Sequence, residues 1–261
     1  SLIKQLNTDF TIHLGDLVQE YPETRDYPQG LSEALAQIEE IGLNLHHCAG
    51  NHDVGDKPDP SMPTHPVTAT GLNAYHDRVG KSWYSFDHSD LHIVVINSQI
   101  LNTDLKVATE QAAWLEADLA STVGKRIALF LHLPPYLRNP ADQAFGNYDV
   151  ISEPDRSWLL ELVDSYNIEL MCAAHVHFAF FDRLSGTDYY ILPSPAFSRP
   201  GFSHLFTSAP PPEHGRDDTP KLGFYLFRSG SSFLDAHIIR TSGQTESLPG
   251  SRIITRNARA L

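Results

Sequence analysis

Four short stretches put metal-ligand residue types where they could act together. Gly15-Asp16 follows the apolar run Phe10–Leu14, and Gly50-Asn51-His52-Asp53 follows Leu43–Cys48. His132 closes Ile127–Leu131, and His175 and His177 follow Ile168–Ala173. A turn accounts for Gly50 and Asn51, which tolerate unusual backbone angles, but not for His52 and Asp53 beside them. Each stretch alone has a structural explanation, such as a turn or a hydrogen-bonded histidine at a strand end. Four strand ends that together carry carboxylate, imidazole and amide oxygen point to a divalent metal such as manganese, iron or zinc. His175 and His177 are two residues apart. They share a face in an extended strand, or reach two different ions from a strand-end turn. A carboxylate such as Asp16 can bridge two ions, and ions about 3.5–4 Å apart clamp the oxygens of an in-line phosphoryl transfer.

The elements that must position these residues follow from periodicity. Ser1–Asn7 reads as the end of a helix with no N-cap before it. Leu31, Leu35, Ile38 and Ile41 have helical spacing, as do Ala112, Leu115 and Leu119 within Thr109–Thr122. Asp155–Tyr166 is a third helix, with Trp158, Leu159, Leu162 and Val163 toward the core. Trp83–Phe86, Leu91–Asn97, Phe178–Leu184, Tyr189–Leu192, Leu222–Phe227 and Phe233–Ile239 read as strands, the last two as a hairpin around Ser229-Gly230. Lys57–Gly71, rich in proline and threonine, reads as a loop, as does the Pro/Gly-rich stretch 194–220. Residues 1–241 make one domain, and 242–261 a polar, mobile tail. Helices and strands alternate early and strands dominate late, which predicts an α/β layered fold with a mixed sheet or two packed sheets. Ligands of such folds gather beyond the carboxyl ends of strands, where all four polar stretches lie.

Composition narrows the partners. The net charge of −13 leaves no basic stripe to neutralise a nucleic-acid polymer. It still admits small phosphates, because a metal reverses the local field. No apolar run approaches a membrane span. Two cysteines make no disulfide framework, so a reducing, cytoplasmic setting is the simplest expectation.

The segments "HLGDLV", "GNHD", "LFLHLPPY" and "AAHVHF" occur in the order and near the spacing found in the calcineurin-like metallophosphoesterases. "KSWYSF", "LHIVVINSQ" and "QAAWLEADL" resemble the segments between those motifs in the branch of cyclic-nucleotide-phosphodiesterase-like enzymes. The resemblance covers about Leu2 to Ser198. It implies a four-layer α/β/β/α sandwich of two mixed sheets. It also implies phosphomonoester or phosphodiester hydrolysis by metal-bound hydroxide at a centre of two divalent ions (manganese, iron or zinc). The substrate would be a small phosphoester or a phosphoprotein. Asp16 would bridge the ions. Asn51, His132 and His175 would complete one site, and His177 would belong to the other. His52 would face the substrate, stabilise charge and protonate the leaving oxygen, with Asp53 orienting it.

Two features depart from the family pattern. Ala174 stands where glycine usually precedes the first histidine of the last motif. The family's Asp-x-His after a first strand is absent, which predicts such a strand upstream of Ser1 and an under-liganded second ion in this chain. A catalytically impaired binding scaffold of the same fold is the alternative reading. The nearest match to Asp-x-His, Asp90-Leu91-His92, begins an internal strand and reads as an edge hydrogen bond with a partly buried histidine. His13, His46 and His47 read as structural, and Cys48 and Cys172 as buried thiols. Tyr136, Asn147, Tyr148, Phe197, Arg199 and Phe202 fall in loops near the motifs. They read as solvated residues more than as a leaving-group pocket.

Overall fold

The structure, a computed structural model, describes residues 1–60, 62–122, 124–141, 148–197, 221–231, 233–241, 245–247 and 252–253. A six-stranded mixed sheet is built from β3 (Tyr84–His88), β4 (Leu91–Val95), β5 (Arg126–Phe130), β6 (Leu170–Ala173), β7 (Phe180–Leu184) and β8 (Thr187–Ile191). Its order is β3-β4-β5-β6-β8-β7, parallel through β4, β5, β6 and β8 with an antiparallel strand at each edge. The middle strands are apolar without alternation because both faces are covered. All five residues of β5 are buried.

Successive residues of β4 show how the two faces divide. Val94 joins Leu129, Leu131 and Met171 under α5 (Lys106–Ser121) and α6 (Asp155–Ser165), which contribute Leu115, Leu119, Leu159 and Val163. Ile93 and Val95 point the other way, with Ala128, Phe130 and Cys172, toward Leu14, Cys48 and Ala236. Each such side chain stabilises the fold by about 1.5–3 kcal/mol. The second β layer therefore comes from β1 (Thr11–His13), β2 (Leu45–His47), β9 (Gly223–Gly230) and β10 (Phe233–Arg240). The helices α2 (Tyr27–Ile41) and α4 (Ala69–Arg78) complete a four-layer α/β/β/α sandwich.

Several sequence expectations are corrected. The second layer is divided by its hydrogen bonds into the parallel pair β1–β2 and a group in which β10 pairs β9. β10 also pairs β11 (Thr245–Ser247) and β12 (Arg252–Ile253), so part of the stretch read as a tail forms strands. Arg126 fastens the β9–β10 hairpin to the large sheet. It donates to Glu169 from Nε and Nη2 at 2.6 and 2.7 Å, and also bonds the Gly230 carbonyl. α4 begins inside the stretch read as a loop. Thr68 caps it by accepting from the Gly71 amide at 3.1 Å, and it buries only Leu72 and Tyr75, too few for a periodic signal. The first helix, α1 (Leu2–Gln5), does have an N-cap, because Ser1 Oγ accepts from the Lys4 amide.

Burial has a consequence for pH. His13, inside β1, is pushed down to about 4 by burial and by the neighbouring His47. The unfolded chain gains a proton near pH 6.5, and the folded chain gains it only near 4. The resulting stability is complete above about pH 6.5 and is lost as pH falls toward 4. Denaturant titrations of the metal-free protein between pH 7 and 5 should show this slope, at most about 1.4 kcal/mol per pH unit for one proton. His13→Gln should flatten it, and an unchanged slope in the variant would refute the assignment.

Candidate metal centre

Asp16, Asn51, His132 and His175 follow β1, β2, β5 and β6, so four strand ends deliver the four sequence-predicted ligands to one place. His132 Nε2 lies 3.4 Å from Asp16 Oδ2, 3.2 Å from Asn51 Oδ1 and 3.1 Å from His175 Nδ1. Asn51 Oδ1 is also 3.2 Å from His175 Nδ1. Asn51, His132 and His175 are buried. Among the described residues, the group of His, Cys, Asp and Glu side chains close enough to hold an ion is Asp16, His132 and His175. His177 lies outside that group. Its ring meets Phe197 edge-on at 4.5 Å.

The backbone is bent to make this meeting possible. Gly15, Asp16, His175 and His177 all have positive φ (96°, 58°, 64° and 59°), a region side-chain-bearing residues enter at a cost. Gly15 and Gly50 let the two ligand loops touch. A Cβ on Gly15 would come 2.6 Å from both the Gly50 amide nitrogen and His132 Nδ1, and one on Gly50 would overlap Asp16. Ala174 has no positive φ, so nothing there requires glycine.

Asp53 has a different task from the one the resemblance implies. Its carboxylate accepts the amides of Asp16 at 2.7 Å, Leu17 at 2.9 Å and Gly50 at 2.8 Å. Both oxygens are occupied by backbone, and the side chain is fully buried. It staples the Asp16 loop to the Asn51 loop instead of orienting His52. Burial and the Asp16 charge push its carboxyl up, while the Gly50 and Leu17 amides pull it back toward the ionised form. His52 is oriented by other groups: Nδ1 lies 2.6 Å from the Gln19 carbonyl, and the ring stacks on Tyr21 at 3.9 Å. Its amide donates to Asp16 Oδ1 at 3.0 Å. Sequence reasoning missed Gln19 and Tyr21, because a backbone carbonyl and a loop tyrosine carry no motif.

The donor set fits a cation. His132 Nδ1 donates to the Leu14 carbonyl at 2.6 Å, which leaves Nε2 as an acceptor facing the acceptors Asp16 Oδ2 and Asn51 Oδ1. With the ring neutral, three acceptors so close repel one another, and positive charge among them, on the imidazole or on a bound ion, relieves this. The electrostatics agree. Burial opposes charge on Asp16, yet His132 outweighs it and holds the carboxyl well below the usual range. Burial likewise opposes an imidazolium at His132, yet Asp16 raises its pKa. The cluster calls for a cation, and an ion held by two imidazoles, a carboxylate and an amide oxygen would supply one.

The other candidates lie elsewhere. Asp90 and His92 sit at the opposite end of β4 from the ligands. His92 is held by Asp87 at 2.7 Å and Asp118 at 2.9 Å, and Asp90 faces Arg126. Tyr136 is core, with its hydroxyl donating to Asp182 at 3.0 Å. His46 stacks on Phe86, and the His47 backbone bonds the Tyr84 hydroxyl. Asn147, Arg199, Phe202 and most of the 194–220 stretch lie outside the described residues.

A partly exposed carboxylate, a buried amide and two buried imidazoles at the strand ends of an α/β/β/α sandwich define the class of metal-dependent phosphoesterases. The chain belongs to the calcineurin-like phosphoesterase family, whose family model matches residues 1–179. Its fold is similar to that of a purple acid phosphatase from yellow lupin (Lupinus luteus) seeds (TM-score 0.62, 19% identity, 94% of this chain and 47% of that one). It is also similar to a dimetal phosphatase from Danio rerio (0.63, 13%, 96% and 86%). A third similar fold is the anchor protein of the inner membrane complex of Plasmodium (0.60, 12%, 98% and 82%). The chain thus spans about half the length of the lupin phosphatase. A search of curated protein sequences gives no match. Among the described residues, no helix is long and apolar enough to cross a membrane.

Proposed function

We propose that this protein hydrolyses small phosphoesters or phosphoproteins, with Asp16, Asn51, His132 and His175 holding a divalent ion and His52 acting as the acid. The observation that carries the reading is the convergence of Asp16, Asn51, His132 and His175, whose ligand atoms lie 3.1–3.4 Å apart around His132 Nε2. A divalent ion there supplies positive charge to phosphoryl oxygens and acidifies a water. His132 is fixed in the ligating tautomer by the Leu14 carbonyl. His52 sits beside Asp16 with its Nδ1 proton directed to the Gln19 carbonyl. That contact fixes the ring and leaves Nε2 to pass a proton to the leaving oxygen. His177, beside Asp16 in the family pattern, is assigned to a second ion.

The test is manganese-stimulated hydrolysis of p-nitrophenyl phosphate and its bis ester, whose ratio separates monoesterase from diesterase action. His52→Ala should lower turnover by about 10² or more with metal content unchanged. Loss of metal together with activity would make His52 a ligand and refute its assignment as the acid. A folded protein that binds manganese yet turns over neither ester would favour the binding scaffold. One observation inclines toward that second reading: four described side chains converge on one ion, and His177 is not among them.

A further inference from the structure

Three aromatic rings from separate segments each rest on a different histidine in or near the candidate centre: His52, His175 or His177. Tyr21 stacks on His52 at 3.9 Å and 21°. The Tyr148 ring lies 4.8 Å from that of His175, tilted by 59°. Phe197 meets His177 edge-on at 4.5 Å and 78°. Burial raises the Tyr21 pKa, and the Tyr148 hydroxyl lies close enough to add to the rise. Phe197 nevertheless keeps 47% of its surface exposed, the most of any large apolar side chain among the described residues. One exposed phenylalanine needs no explanation. Three rings set against histidines of this region put flat apolar surface beside charged chemistry, the usual composition of a small-molecule site.

We propose that Tyr21, Tyr148 and Phe197 form a subsite for the leaving alcohol, and that the protein prefers phosphoesters whose alcohol carries a flat, uncharged aromatic ring, either an aryl group or a nucleobase. The proposal rests on the hydrolase reading above and adds a substrate class to it. Its geometry is consistent with the proton path. The alcohol departs on the side of His52, and Tyr21 is stacked on that ring. Ring stacking tolerates any flat partner, because every aromatic group has a π-face. The surroundings discourage additional anionic groups. The chain carries a net charge of −13, and the charge of Asp56 reaches Tyr21. Lys57, close to the GNHD motif, is buried with its ammonium tied to the Val150 carbonyl and Ser152 Oγ.

The test is equilibrium binding to the manganese-loaded protein of three phosphonates that cannot be hydrolysed: benzyl-, cyclohexylmethyl- and methylphosphonate. Benzylphosphonate should bind about tenfold tighter than the cyclohexylmethyl compound, which has similar bulk but no π-face. Phe197→Leu keeps apolar bulk at an exposed position and removes the ring. It should shrink the gap to about threefold or less, read as the ratio of the two affinities within the same variant. Equal affinities, preference for the cyclohexyl ring, a gap that survives Phe197→Leu, or no phosphonate binding would each overturn the subsite. Hydrolysis of the p-nitrophenyl esters on the same sample reads the hydrolase assignment separately. Benzyl preference without turnover would sink that assignment and leave the subsite standing, and turnover without the preference would do the reverse.

Discussion

Asp16→Asn should leave the protein folded but unable to hold a divalent ion or to hydrolyse a phosphoester. The substitution keeps the shape of the side chain and an oxygen able to accept the His52 amide, now bonded at 3.0 Å. It removes the negative charge from a cluster whose other described members, Asn51, His132 and His175, are neutral ligands. Turnover should fall by about 10³ or more, since the metal supplies several kcal/mol of transition-state stabilisation. The more diagnostic readout is stability. Manganese at about 100 times its Kd should stabilise the wild type by about 2.7 kcal/mol, and Asp16→Asn should show no such rise. Without metal the variant should be somewhat less stable than the wild type, because the pairing with His132 that holds the Asp16 carboxylate ionised stabilises the fold and is lost. Asn51→Ala removes only a neutral oxygen and should lose less affinity. Equal or reversed losses in the two variants would refute the special place of Asp16.

Most of the site's membership was legible in the sequence, and most of its mechanics was not. Ligand types at four strand ends could be read because the strands were periodic and Asp16, Asn51, His132 and His175 directly follow them. The positive φ values that turn Asp16 and His175 inward could not, since neither residue type announces a left-handed backbone. Gly15 and Gly50 looked like turn residues. Their stronger constraint is the contact between their loops, a long-range fact that local pattern does not carry. α4 escaped because two buried residues in ten give no periodicity. The role of Asp53 was misread for a related reason. The resemblance implied that Asp53 orients His52, whereas α3 (Asn51–Val54) turns the carboxylate back to its own Gly50 amide and across to the β1 loop.

That correction makes the second large prediction. Asp53→Asn and Asp53→Ala should lose thermal stability and metal binding together. Three amides depend on this carboxylate, that of Gly50 buried and those of Asp16 and Leu17 part-buried. A buried donor left without a partner costs about 1–3 kcal/mol and a part-buried one less. Alanine strands one buried and two part-buried donors, so it should cost roughly 3–6 kcal/mol, a large share of the 5–15 kcal/mol typical of a folded domain. Asparagine retains one acceptor oxygen but sets its own N–H groups against backbone N–H groups. It should cost about 2–4 kcal/mol, or roughly 5–15 °C in Tm for a chain of this size. The loops released are those that present Asp16 and Asn51, so ligand spacing is lost even if the rest of the sandwich remains folded. Thermal unfolding in chelator, followed by metal titration of the folded protein, separates this from a role exerted through His52. If Asp53 only oriented the imidazole, Asp53→Asn would reproduce His52→Ala, with metal retained, Tm unchanged and turnover reduced. An unchanged Tm with full metal content would therefore overturn the stapling role and return Asp53 to the service of His52.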